Sequence, residues 1–179
     1  RQYKKAADLY HTILTEVPLA RTHYARLQLY GLGTKTNTKQ AIKRLNKASK
    51  PQHSDGGYGR AVLGRYYLES QKVKEAFELF QQSAEMNCAE GLNELGLCYL
   101  NSTGTQKDYD KAMECFVQAS IQDHPNSYIN LAKMYQEGLG VDKDLEFAIS
   151  LLKKAARLIS IDANIQLGHI YEESNDKKE

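Results

Sequence analysis

The chain has 179 residues, 41% of them apolar and 26% charged, with a formal net charge of +2. That balance excludes a disordered chain, and no run approaches the roughly 18 apolar residues of a membrane-spanning helix. The small net charge conceals a division, because residues 1–74 carry 15 Lys and Arg against 4 Asp and Glu, whereas residues 75–179 carry 9 against 18.

Taken in order, residues 3–14 read as an amphipathic helix on the spacing of Tyr3, Ala6 and Tyr10. The next segment places Tyr24, Ala25 and Gln28 on a helix, Gly31 and Gly33 in a turn, and Thr38, Ala41 and Leu45 on a second helix. After the loop from Pro51 to Gly57 come Leu63, Gly64 and Tyr67, then Val73, Ala76 and Phe80. The pattern returns as Leu95, Gly96, Tyr99 with Tyr109, Ala112, Phe116, and again as Leu131, Ala132, Tyr135 with Leu145, Ala148, Leu152. Leu167, Gly168 and Tyr171 begin one more copy.

The alanines at 6, 41, 76, 112 and 148 are 35, 35, 36 and 36 residues apart. A fixed period in this range marks a solenoid in which each repeat buries its apolar face against its neighbours. Within a repeat, Tyr128, Leu131, Ala132 and Tyr135 share one helical stripe, as do Leu145, Ala148, Ile149 and Leu152. Gly138 and Gly140 supply a helix-ending turn. Asp144 stands where its carboxylate can cap the following helix, with Asp108 and Asn37 in the same register.

A leucine-small-x-x-tyrosine helix, a Gly-x-Gly turn and an alanine-x-x-x-aromatic-x-x-alanine helix together resemble the Sel1-like repeat, a relative of the tetratricopeptide repeat. The resemblance implies an all-α, right-handed superhelical solenoid of about ten helices. Residues 1–179 are then a single repeat domain, with a half repeat at 1–15, repeats at about 19–50, 57–87, 89–122 and 126–159, and a half repeat at 162–173. Starting and stopping in mid-repeat, the chain reads as a piece of a longer protein. From Leu95 to Ala112 and from Leu131 to Ala148 is 17 residues, but from Leu63 to Ala76 only 13, without the glycine turn. That repeat resembles the shorter tetratricopeptide form, and the loop before it is correspondingly longer.

The resemblance further implies a non-catalytic scaffold that binds a partner segment in a concave groove lined by the first helices and so helps to assemble a complex. In the tetratricopeptide relative, exposed groove positions fall two residues before and two after the leucine. The later position holds Arg26, Arg65, Leu97, Lys133 and His169, a mostly basic stripe suited to an acidic segment or a peptide carboxylate. The earlier holds Thr22, Ala61, Asn93, Ile129 and Ile165. Arg26, Arg65, Asn93, Lys133 and His169 are therefore the candidate partner-binding residues. Aromatics nearby, such as Tyr58, read as packing. Two alternatives stay open: binding of nucleic acid or an anionic membrane by the basic first half, or service as a structural segment of a larger enzyme or secretion complex. The charge division also suits head-to-tail self-association.

Signs of catalysis are poor. Cys88, Cys98 and Cys115 form no CxxC pair and the five histidines are scattered, so no metal or cofactor constellation is expected. The cysteines do not recur with the period, unlike those of some bacterial relatives, and their odd number leans toward a reducing compartment while leaving secretory or periplasmic locations open. The Gly-Leu-Gly turns lack the strand and lysine of a phosphate loop. Asp142-Lys143-Asp144 lacks the central glycine and closing glutamate of a calcium loop. Asn101-Ser102-Thr103 is a glycosylation sequon whose use depends on compartment.

Overall fold

The computed structural model describes residues 2–14, 17–49, 55–158 and 165–167. Among these the chain is all helical. The helices are α1 (Gln2–Thr12), α2 (Pro18–Tyr30), α3 (Thr38–Ala48), α4 (Gly56–Glu69), α5 (Val73–Glu85), α6 (Ala89–Asn101), α7 (Tyr109–Ile121), α8 (Pro125–Glu137) and α9 (Leu145–Arg157), and residues 165–167 are helical as well. Two compact units divide the chain, Arg1–Leu95 and Gly96–Glu179.

In the N-terminal unit, α2 packs on α3 and α4 on α5, and α1 leads onto α2 as α3 leads onto α4. In the C-terminal unit α8 packs on both α7 and α9. Each repeat thus contributes a first helix and a second helix. The recurring alanines Ala41, Ala76, Ala112 and Ala148 are all fully buried. In α1 the register slips by one, for Ala7 is buried while Ala6, the expected counterpart, is only half-buried.

The residue four places after each alanine meets the small residue of its own repeat's first helix, and the two are matched in volume. Where the second helix offers a phenylalanine, the first offers glycine. A Cβ built on Gly64 would stand 2.7 Å from Phe80 Cε1, and one on Gly96 2.6 Å from Phe116 Cε1. Where the second helix offers the smaller leucine, alanine is accepted: Ala25 and Leu45 share one core cluster, and Ala132 and Leu152 another. Close packing at interior density explains the exchange, since a methyl added on one side must be removed from the other.

The connections follow the chemistry of their residues. Asn37, Asp108 and Asp144 each accept the backbone N–H three residues on, at 3.1, 3.0 and 2.8 Å. Gly138, at φ +74°, ends α8 in the left-handed conformation and donates its N–H to Met134 O. The short repeat ends its first helix differently, with Gln71 at φ +61° and no side-chain cap on α5. The glycine turn is replaced there by a strained glutamine.

Candidate partner-binding site

The first helices α2 and α4, with the opening turns of α6, bring a set of polar side chains together in the N-terminal unit. Tyr10, His23 and Tyr58 form a ring ladder with successive centroids 5.1 Å apart. Burial, and then the Arg26 charge, hold the His23 imidazole below its ordinary pKa, so His23 serves as a neutral packing ring. Tyr58 is part of this ladder, as a packing aromatic would be, and its hydroxyl accepts a 3.0 Å hydrogen bond from Arg26 Nη1. Arg26 is thereby held with most of its donors uncommitted; among the described residues it has no ion pair.

Arg65 projects from the next first helix and pairs with Glu90 and Glu94, one turn apart on α6. Burial opposes its charge, but Glu94 and then Glu90 outweigh burial and raise the guanidinium pKa. Tyr30 lies between the two arginines and Glu69. Burial first, and then the Glu69 carboxylate and its hydrogen bond, push the Tyr30 phenol up to about 12. A pocket of about 250 Å³ opens among Arg26, Tyr30, Arg65, Glu69 and Glu90, floored by Leu32 and Val62. With Arg26 and Arg65 beside Glu69 and Glu90, and Glu94 paired to Arg65, this surface is of mixed charge, in place of the expected basic stripe.

The position two residues before the leucine is not exposed. Thr22, Ala61, Asn93 and Ile129 are 0%, 1%, 2% and 9% accessible, so the expectation that Asn93 offers a groove contact is corrected. For Thr22 and Ala61 the cause is that α2 packs on α4 as well as on α3, which turns this edge of the first helix into the neighbouring repeat. Thr22 shows it directly, donating from Oγ1 to Asp55 Oδ2 at 2.5 Å. The later position does reach solvent, since the long side chains of Arg26 and Arg65 extend to the rim. In the C-terminal unit Lys133 is exposed on α8 and, among the described residues, makes no ion pair. His169 lies outside the described residues.

A feature that the sequence reading missed is an apolar hollow of about 310 Å³ in the C-terminal unit, between α7 and α9 above α8. Ile121 is 78% exposed at its edge, with Val117 and Phe147 beside it. The signal was present, because Val117 and Ile121 are four residues apart and off the stripe of Ala112 and Phe116.

Among the described residues no cluster of three or more potential ligands could hold a metal ion, and no helix is long and apolar enough to cross a membrane. Cys88, Cys98 and Cys115 are not joined in disulfides. Burial, with the Glu114 charge behind it, pushes the Cys115 thiol up to about 11, which makes it a poor nucleophile near neutrality.

The Sel1 repeat profile matches residues 18–50, 60–88, 89–124 and 125–160. An uncharacterised Sel1-like repeat-containing protein of Schizosaccharomyces pombe is 32% identical over 95 residues, which is 49% of this chain and 14% of that protein. The mouse protein sel-1 homolog 2 is 33% identical over 110 residues, 56% of this chain and 16% of its own length. The chain therefore matches only about a seventh of the length of these curated relatives. Among solved structures, a Sel1 repeat protein from Oxalobacter formigenes superposes with a TM-score of 0.72 at 24% identity, covering 94% of this chain and 69% of that one. Helicobacter pylori cysteine rich protein B gives 0.54 at 26% identity, covering 72% and 92%. With four matched repeats over most of its length and the α/α solenoid fold of these neighbours, the chain belongs to the Sel1 repeat family.

Proposed function

We propose that the chain is a non-catalytic protein-binding scaffold whose first-helix face receives a segment of a partner protein and helps to assemble it into a complex. The observation that carries this reading is the pocket beside Arg26, Tyr30 and Arg65, where apolar floor and fixed polar side chains occur together on successive first helices. Such preformed surfaces bind at little ordering cost to the scaffold, and a few anchors determine affinity. Among the described candidate residues Arg26 and Lys133 make no ion pair, while Arg65 is committed to Glu90 and Glu94 and acts as a positioning group. An acidic or mixed-charge peptide segment is the partner chemistry this favours.

The test is capture from the native extract, comparing wild type with the Arg26→Gln, Lys133→Gln double variant after circular dichroism has established equal helix content. A discrete protein retained by wild type and lost from the double variant supports the reading. Equal retention by both, or material released by nuclease, contradicts it and returns the function to the basic first half.

A further inference from the structure

Between Glu16 and Asp55 the sequence holds no acidic residue and eight Lys and Arg. Three of these, Arg21 on α2 and Arg44 and Lys47 on α3, line one open pocket of about 430 Å³ beside Leu14. Arg44 and Lys47 are three residues apart and so share a face of α3, and the packing of α2 on α3 brings Arg21 to them. Among the described residues no carboxylate lines this pocket.

The cations are held ready. Arg44 donates from Nη1 to Gln28 Oε1 and lies over the Tyr24 ring, 5.4 Å from its centroid. That fixes the guanidinium plane while leaving part of its fork unused. Among the described residues, Arg21 Nη1 is buried and has no hydrogen-bond acceptor. Three like charges lining one pocket repel one another, and an anion seated there would offset that repulsion.

We propose that Arg21, Arg44 and Lys47 bind a phosphomonoester dianion, carried on a phosphorylated serine or threonine of a protein partner. Forked guanidinium donors match the oxygens of a phosphoryl group, whose charge of nearly two balances several cations better than a single carboxylate does. Three cations lining one pocket, with the Arg44 guanidinium fixed, favour a compact anion over the evenly spaced phosphates of a nucleic acid. The inference rests on the reading of the chain as a protein-binding module, but the pocket shares no residue with the Arg26 and Arg65 surface.

Fluorescence anisotropy of the full chain with a labelled Gly/Ala peptide bearing one phosphoserine tests it, beside the same peptide with serine or glutamate in that place. The expected result is binding at least about tenfold tighter for the phosphopeptide, competed by inorganic phosphate. Arg44→Gln and Lys47→Gln should each abolish that preference, with helix content unchanged, while the Arg26→Gln, Lys133→Gln variant should keep it. Equal affinity for the phosphoserine and glutamate peptides would overturn the proposal, as would a preference that survives both pocket variants. Absence of phosphopeptide binding alongside binding to vesicles containing phosphatidylinositol phosphate would overturn it too. Since the first-helix variant leaves this pocket intact, failure here is distinguishable from failure of the first-helix reading.

Discussion

Gly96 lies against the ring of Phe116 so closely that a Cβ on the glycine would come within 2.6 Å of Cε1. Gly96→Ala should destabilise the C-terminal unit by about 1–3 kcal/mol, the cost of overpacking a filled site. Phe116→Leu removes the clashing ring edge, so the double variant should be more stable than the sum of the singles allows. Urea unfolding of the four proteins gives the coupling energy. Additive effects would show that the pair is not in contact.

Gln71 takes a left-handed backbone at φ +61° at the end of α4, where two of the longer repeats supply Gly31 and Gly138 and the third Ser102. Gln71→Gly should therefore raise stability by roughly 0.5–1 kcal/mol, the relief of a strained helix end. Asp144→Ala should lower it by about 0.5–2 kcal/mol, through loss of the cap on Phe147 N–H. Thermal melts of both variants check the opposite signs.

Tyr30 should ionise at about 12 in a spectrophotometric titration at 295 nm. Its folded pKa is raised above the unfolded value near 10, so the unfolded chain gives up this proton first. The stability it contributes is whole below pH 10 and is lost as pH climbs to about 12. Partial exposure and solvent screening keep the effect small. Tyr30→Phe should remove the high-pH component of the titration and the corresponding slope in stability.

Native-state thiol labelling at pH 8 should proceed first at Cys88, which is half-buried, and slowly at Cys98 and Cys115, which are buried. For Cys115 the thiol near 11 adds a shortage of thiolate to the steric barrier. Mass spectrometry of partially labelled protein distinguishes the sites, and all three should react at comparable rates in denaturant.

The helices, the caps at Asn37, Asp108 and Asp144, and the short third repeat were legible in the sequence because each is a local signal repeated at a fixed period. Burial at 41, 76, 112 and 148 followed from the same period. The candidate site was less legible, since Asn93 and Thr22 are buried and exposure there depends on packing between helices, as the Thr22 contact with Asp55 shows. The pairing of Arg65 with Glu90 and Glu94 crosses 25 and 29 residues, so nothing local announces that this arginine is already occupied. The pocket of Arg21, Arg44 and Lys47 is a similar case. Its excess of positive charge is plain in the sequence, but its convergence comes from α2 packing on α3.

The most direct test of protein binding on the first-helix face is hydrogen–deuterium exchange of the chain alone and saturated with the protein it captures. The expected result is added protection in α2 and α4, around Arg26 and Arg65, with the second helices α3 and α5 little changed. Protection confined to the second helices, or none on saturation, would contradict a partner seated on that face.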